Sequence, residues 1–387
     1  MKRLLSFAVA AVMLFALTGC FAEISRENLP QSTRQDRSAI AAASARTLSE
    51  YMAAGASTAD TIFLEDMTFQ SLDDGTIVFN VLHMNSPEHS LHYGLLRFKE
   101  EVETRSDGTL VVNIHHGSPG DVTLIDMING NLADAAVVTI LSAWGHLSEL
   151  ANFEALPFVF SNYEEAWAAY EGTLGDWVTT NVIEPSGARA LAYWTNGLRH
   201  FTNNVRPINT PSDMAGLIMR SPQNATHLAM YAEFGAASMA MPFGQLREAL
   251  ADGLADGQDN PIGQIHGGRL FEVQQYMTLS YHMFSTMPFI VSTDLWYYLT
   301  GAQRQILLES ALIAGRFQGE LAVATEQRQL QEIRTFGTQV STITPAPFLT
   351  AVEPIWVDHM ERFGNEFANI ASRYIADPTA LAHRFAD

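Results

Sequence analysis

The sequence predicts an α/β fold with two packed domains, and three observations support it. Segments of alternating apolar residues, typical of strands, are followed repeatedly by segments with helical apolar spacing. The 387 residues are 47% hydrophobic and 17% charged, which suits a globular chain too long for one small core. A stretch of about 35 residues between Thr300 and Gly337 contains no strong breaker, so it predicts one helix long enough to brace both domains.

Charge and cysteine content exclude several classes of function. The chain has 42 Asp and Glu against 22 Lys and Arg, a formal net charge of -20, whereas nucleic-acid binding requires an excess of surface cations. Its single Cys cannot build a disulfide framework or a Cys-rich metal site. The chain also lacks the Gly-x-Ser-x-Gly, His-Glu-x-x-His and phosphate-loop motifs, which argues against an enzyme. We therefore expect no nucleic-acid partner and no cofactor.

The N-terminal residues predict secretion and lipid anchoring. Lys2 and Arg3 precede an apolar run over 4–17, which is short for a membrane span but right for a signal-peptide core. The run ends in Leu-Thr-Gly-Cys, which resembles the bacterial lipobox, although an incidental Cys after a plain signal peptide is the alternative. We expect residues 1–19 to be removed, Cys20 to carry the lipid, and residues 20–75 to tether the body to a membrane in the periplasm or at the cell surface.

The body begins with a β-α-β pattern. Alternating apolar residues over 77–81 and 110–114 predict two strands. Ser86 as N-cap, with Pro87 at the first helical position, predicts the start of the helix between them. Further elements are predicted as helices over 122–127, 224–234, 243–251 and 262–273, a helix from a capping box at 161–164, and strands over 135–140, 188–193 and 217–220.

Four segments carry a resemblance to a known family. They are Leu-Pro-Phe-Val-Phe at 156–160, Asn-Gly-Leu-Arg at 196–199, Asn-Thr-Pro-Ser-Asp-Met-Ala-Gly-Leu-Ile-Met-Arg-Ser-Pro at 209–222 and Asp-Gly-Gln-Asp-Asn-Pro at 256–261. In this order and spacing they resemble the signature of the DctP-type solute-binding proteins of TRAP transporters. The resemblance extends from about residue 76 to the C-terminus.

The resemblance implies a two-lobe periplasmic-binding-protein fold with a hinge and one long helix spanning both lobes. Lobe I would comprise 76–196 and 286–325, and lobe II 197–285 and 326–387. The implied function is an extracytoplasmic receptor that captures a small organic acid, such as a dicarboxylate, sugar acid or keto acid, and delivers it to the TRAP permease subunits. A ligand-sensing lipoprotein of a signalling system would use the same lobes, and an extracytoplasmic enzyme is the remaining alternative. We expect a monomer.

The expected ligand contacts of lobe II centre on Arg220. Arg220 ends a short strand before a proline, which places it at the carboxyl edge of a sheet, where α/β folds bind ligands. Its planar fork suits a carboxylate, although spacing alone fits an exposed salt bridge as well. The resemblance favours the ligand and makes Arg199 a second cationic contact and Asn260 an amide donor, with a structural bond to the hinge as the alternative for both. Phe243 matches an apolar wall residue of the family, or else belongs to the core.

The contacts of lobe I are less marked in the sequence. Glu88, His89 and Thr139 stand where the family's first-lobe contacts fall, and pocket residues there vary with the ligand. Asp259 stands where the family often carries Glu, a change we expect to matter little because the amide of Asn260 is retained.

Five histidines are close in sequence and could suggest a metal site: His83, His89, His92, His115 and His116. Their spacing matches no zinc motif. Neighbouring residues of a strand, such as His115 and His116, point to opposite faces. The sequence therefore predicts no metal ligand.

Overall fold

The computed structural model describes residues 67–374 apart from residues 119 and 146, with side chains described as far as residue 362. The signal peptide, Cys20 and nearly all of the expected tether lie outside the described residues. Within the described part of the chain, no helix is both long enough and apolar enough to cross a bilayer.

The elements alternate between strands and helices along most of the chain, as the sequence predicts. The strands are β1 (Gln70–Ser71), β2 (Ile77–Leu82), β3 (Leu110–His115), β4 (Ala135–Val137), β5 (Ala188–Asn203), β6 (Ile218–Ser221), β7 (Ala237–Ala240), β8 (Gly257–Pro261), β9 (Tyr276–Leu279), β10 (Phe284–Ser292) and β11 (Gln339–Thr342). The α-helices are α1 (Ser90–Arg105), α2 (Asp121–Asn129), α3 (Ile140–Ala143), α4 (Tyr163–Tyr170), α5 (Thr173–Val178), α6 (Ala225–Glu233), α7 (Leu246–Ala251), α8 (Ile262–Gly267), α9 (Thr293–Tyr298), α10 (Gly301–Phe336) and α11 (Pro345–Tyr374).

Strand β5 links two groups of strands. Its first part pairs antiparallel with β10, which continues through β4 and β2 to β3; β2, β3 and β4 are parallel to one another. Its last part, Arg199–Asn203, pairs with β8, which continues through β6 to β7 in parallel register. On its other side, β5 pairs with β9, which is joined by β11. The two groups therefore share one strand rather than forming separate sheets.

Helix α10 packs against β5 and against helices that follow strands of each group. It starts with a capping box of Thr300 and Gln303 and ends at Gly337, whose φ is 120°. It contacts α1 and the first part of β5 and, further along, α8. Gly315 allows the close approach to β5, because a Cβ there would lie 2.6 Å from the Trp194 ring. The 36 residues of α10 confirm the long helix that the sequence predicts.

Several element boundaries differ from the sequence predictions. The helix expected at Ser86 starts at Ser90 instead, because His89 is the N-cap: its Nδ1 accepts a hydrogen bond from the Leu91 amide. The expected strand over 135–140 ends at Val137, since Thr139 is the N-cap residue of α3. The expected helix over 262–273 ends at Gly267 and is followed by a 3-10 turn at 270–273.

Candidate functional site

Two sheet edges carry the polar residues that the sequence singles out. The first edge is formed by the carboxyl ends of β2, β3 and β4 and the starts of α1, α2 and α3. The second edge is formed by the carboxyl ends of β6 and β8 and the part of β5 that pairs with β8. The carboxyl ends of parallel strands are the usual ligand-binding edge of α/β sheets.

Arg220 is a buried cation without an acidic partner. It is 2% exposed, and its Nε and Nη2 both donate to the carbonyl oxygen of Met241, at 3.0 and 2.7 Å. No carboxylate in the described part of the chain forms an ion pair with it. Burial and the charge of Arg199 lower the pKa of the guanidinium to about 10, although the charges of Asp259 and Asp121 oppose this shift. A bound anion would therefore relieve an uncompensated buried charge.

Arg199 is instead paired within the protein. Its Nε donates to Oδ2 of Asp259 at 2.6 Å, and its Nη2 donates to the Asp259 carbonyl oxygen. Both side chains are almost completely buried. Of the two roles that the sequence leaves open for Arg199, the structural bond is therefore present, and its Nη1 is left for any further contact.

Asp259 collects hydrogen bonds from several elements. Its Oδ1 accepts from Nε2 of His227 at 2.8 Å and from the Tyr231 hydroxyl at 2.5 Å, while Nε2 of His282 lies 3.2 Å from Oδ2. Burial opposes ionisation of Asp259, but the charge of Arg199 and the hydrogen bonds of the two histidines outweigh it and hold the pKa well below its usual range. The carboxylate therefore balances Arg199 and fixes the strand that carries Asn260.

Asn260 and Phe243 lie at the same edge. The Asn260 side chain is buried and donates through Nδ2 to Oε1 of Gln258, which in turn donates to Thr202. This series of hydrogen bonds orients the Asn260 amide and leaves its second N–H to donate to a ligand. Phe243 is partly buried and packs on the hydrophobic cluster around Leu246. Both interpretations of Phe243, wall and core, are compatible with that position.

At the first edge, Asp121 and Thr139 form a pair. Asp121 starts α2 just after β3, and Thr139 precedes α3 just after β4. The Thr139 hydroxyl donates to Oδ2 of Asp121 at 2.5 Å. Burial raises the pKa of Asp121 to about 6, although hydrogen bonds from Thr139 and Ser142 and the charge of Arg220 lower it. The charge of Arg220 thus acts on Asp121, and the His89 ring of the first edge contacts Gly263 of α8, which directly follows β8, so the two edges lie close together.

Three histidines assemble beside this pair. The ring centroids of His83, His92 and His116 lie 5.2 to 6.3 Å apart, and Nε2 of His83 lies 3.0 Å from Nδ1 of His92. Burial lowers the pKa of His92 to about 4 and that of His83 well below its usual range. No group of three or more His, Cys, Asp or Glu side chains in the described residues has a geometry that could hold a metal ion.

His89 and Glu88 precede α1 at the same edge. His89 is buried against α8, since its ring lies 3.4 Å from where a Cβ on Gly263 would be. Burial lowers its pKa to about 4. Glu88 is exposed in the preceding turn, and its charge acts on His92. The first edge therefore contacts α8, the helix that directly follows β8 of the second edge.

Comparison with known proteins assigns the family. Residues 81–362 match the family described as bacterial extracellular solute-binding protein, family 7, DctP. The chain belongs to this family. It is 28% identical over 259 residues to the 2,3-diketo-L-gulonate-binding periplasmic protein YiaO of Escherichia coli, covering 66% of this chain and 78% of that one. It is 25% identical over 298 residues to the C4-dicarboxylate-binding periplasmic protein DctP of Rhodobacter capsulatus, covering 75% and 88%.

Solved structures confirm the fold class. A TRAP periplasmic solute-binding protein from Polaromonas sp. JS666, bound to D-erythronate, is 26% identical and has a TM-score of 0.73 over 77% of this chain and 97% of that one. The α/β periplasmic-binding-protein architecture that the sequence predicts is therefore confirmed, and with it the membership of the DctP-type solute-binding proteins.

Sequence reasoning missed the residues that organise the site. Asp121, His227, Tyr231 and His282 were not singled out, and Asp259 was given no role of its own. Asp121 had one usable signal, an acidic residue directly after Gly120 at a predicted helix start. The partners of Asp259 lie 23 to 60 residues away in sequence, so no local pattern could reveal them.

Proposed function

We propose that this solute-binding protein captures a small organic acid by its carboxylate and delivers it to the membrane subunits of a TRAP transporter. The observation that carries the proposal is the buried Arg220 guanidinium, whose only hydrogen-bond acceptor in the described residues is one carbonyl oxygen. The outer N–H groups of Nη1 and Nη2 form a fork that matches a carboxylate in two parallel hydrogen bonds. The names of the relatives, which bind diketogulonate, C4-dicarboxylates or erythronate, support an acid as the ligand.

The other contacts follow from the same geometry. Asn260 would donate its free amide N–H to the carboxylate, and Phe243 would cover the ligand's apolar side. Arg199 would add a hydrogen bond from Nη1. From the first edge, Thr139, His89 and Glu88 would reach the rest of the ligand.

We also propose that the ligand is enclosed by movement of two lobes, 76–196 with 286–325 and 197–285 with 326–387. An irregularity in the β5–β10 pairing supports this boundary: Gly197 pairs with Ser285 but Thr195 with Thr286, which leaves Asn196 as an extra residue. Gly197 has a φ of 130°, which favours glycine. Contacts present only in the closed form would shift the population towards it.

A stability assay tests the binding function. At 100 times its dissociation constant, a ligand should stabilise the protein by about 2.7 kcal/mol, so thermal unfolding is measured against a panel of organic acids and their primary amides. We expect at least one acid to raise the unfolding temperature and its uncharged amide not to. Equal effects of acid and amide, or no effect of any acid, would contradict capture through a carboxylate. Each acid is recovered unchanged if, as we propose, the protein is not an enzyme.

Membrane attachment and the transport partner are tested separately. Because Cys20 closes the lipobox-like sequence and is the only thiol, Cys20→Ser should release the protein from membranes into the soluble fraction. Unchanged membrane partitioning would rule out the lipid anchor. Copurification of the anchored protein with a TRAP permease supports delivery, whereas copurification with a membrane kinase would assign it to sensing.

A further inference from the structure

The two arginines of the second edge do not contribute equally to its charge. Asp259 balances Arg199 through the 2.6 Å ion pair, and Arg220 has no acidic partner in the described residues. The edge therefore offers one uncompensated positive charge. One carboxylate is enough to neutralise it, and a second would need a cation elsewhere in the site.

The first edge supplies acceptors rather than cations. The Thr139 hydroxyl hydrogen is directed to Oδ2 of Asp121, so the lone pairs of Thr139 Oγ1 remain to accept a hydrogen bond. Asp121 contributes further acceptor oxygens within reach of the Arg220 charge. Such a surface attracts O–H groups and repels a second carboxylate.

His83, His89 and His92 add no positive charge to the first edge near neutral pH. His83 and His89 are buried, and the pKa values of His89 and His92 are lowered to about 4. Nδ1 of His83 is buried without a hydrogen-bond partner in the described residues. Neutral imidazoles can donate to and accept from hydroxyl groups, but they do not pair with a carboxylate as an imidazolium does.

We infer that this site selects acids with a single carboxylate and several hydroxyl groups, and that the Asp121–Thr139 pair discriminates against dicarboxylates and against acids without hydroxyls. The inference rests on the proposed function, since it takes Arg220 as the carboxylate anchor. Asp121 acts as a positioning residue for the Thr139 hydroxyl as well as through its own charge.

The test separates the number of carboxylates from the number of hydroxyls. Calorimetric titrations use two matched series at pH 7: threonate, tartrate, butyrate and succinate with four carbons, and galactonate, galactarate, hexanoate and adipate with six. In each series the four compounds combine one or two carboxylates with or without hydroxyls. We expect the hydroxylated monocarboxylate of one series to bind at least about tenfold more tightly than the other three.

Substitutions assign the selectivity to the pair. Asp121→Asn keeps the shape of the side chain and removes its charge. The ratio of the dissociation constants of the hydroxylated dicarboxylate and the hydroxylated monocarboxylate should therefore fall by about tenfold. Thr139→Val should lower the ratio of the dissociation constants of the unsubstituted and the hydroxylated monocarboxylate. Asp126→Asn, an exposed position on the same helix, is the matched control and should change neither ratio. Circular dichroism checks that each variant is folded.

The outcomes distinguish this inference from the function on which it rests. A dicarboxylate that binds as tightly as the hydroxylated monocarboxylate, with Arg220→Ala still abolishing binding, overturns the inference and leaves the receptor function intact. Unchanged ratios in both Asp121→Asn and Thr139→Val overturn it as well. If no acid of either series binds, or if binding survives Arg220→Ala, the proposed function itself fails.

Discussion

The two edges of the site bury polar side chains in opposite ways. At the second edge the central buried groups form a charged pair: Asp259 is held ionised by Arg199 and by hydrogen bonds from three further side chains. At the first edge the buried histidines are kept neutral: burial lowers the pKa of His89 and His92 to about 4. Burial of a charge requires a partner on every side, whereas burial of a neutral imidazole needs only one or two hydrogen bonds.

The difference shows where binding energy and where selectivity would come from. At the second edge, Arg220 is the one charged side chain whose partner is missing from the described residues, and it lies beside a rigid network that fixes its surroundings. A ligand that completes the network gains a large electrostatic contribution. At the first edge, hydrogen bonds to neutral groups and to Asp121 would distinguish ligands by their hydroxyls.

The largest effect is expected for Arg220. Arg220→Ala leaves the ligand carboxylate desolvated without a counter-charge, so it should weaken binding of the best acid by roughly 3 to 5 kcal/mol, on the order of a hundredfold or more. Arg220→Lys keeps the charge without the planar fork and should fall between wild type and Ala. Isothermal titration calorimetry measures both.

A matched control uses a surface arginine of the same half of the chain. Arg247 pairs with Glu272 and its side chain is 49% exposed, so Arg247→Ala should leave binding within about twofold of wild type. If Arg220→Ala also binds within about twofold, with its fold intact by circular dichroism, then the second edge does not hold the carboxylate.

The next effect concerns the stability of the charged network. Asp259→Asn removes the countercharge of buried Arg199 and presents an amide to groups that now donate to a carboxylate. The free energy of unfolding should fall by about 3 kcal/mol in denaturant titrations at pH 7. Asp252→Asn, at an exposed position, should change it by less than about 0.5 kcal/mol. A loss below about 1 kcal/mol for Asp259→Asn would mean that the network is dispensable for folding.

The smallest of the three effects concerns the pH dependence of stability and the buried neutral His89 of the first edge. His89 has a pKa of about 4 in the folded protein against its ordinary value of 6.5, so the unfolded chain binds more protons between these values. Stability is therefore present in full above pH 6.5 and is lost as the pH falls towards 4. His89→Asn keeps an N-cap acceptor for the Leu91 amide but does not titrate. Between pH 7 and pH 5, wild type should lose about 2 kcal/mol more than this variant. Identical losses in denaturant titrations would show that His89 is not buried in its neutral form.

Local sequence patterns were enough to predict much of the fold. The stretch without a strong breaker between Thr300 and Gly337 predicted α10, because helix breakers and caps act within a few residues. Ile77, Phe79 and Val81 are buried, as their alternation over 77–81 indicates. The start of α1 was misplaced, since Ser86 and Pro87 formed a plausible cap and tertiary packing of His89 against α8 decided otherwise.

The sequence by itself determined the family, the α/β class and the position of Arg220 at a strand end, because each is written in a contiguous segment. Only the tertiary structure decided that Arg199 has an acidic partner and that Arg220 has none in the described residues. Arg199 lies 60 residues from Asp259, and Asp121 lies far in sequence from the Arg220 charge that shifts its pKa. Electrostatic interactions act through space and depend on burial, so the charge of a site follows from the way the strands bring its residues together.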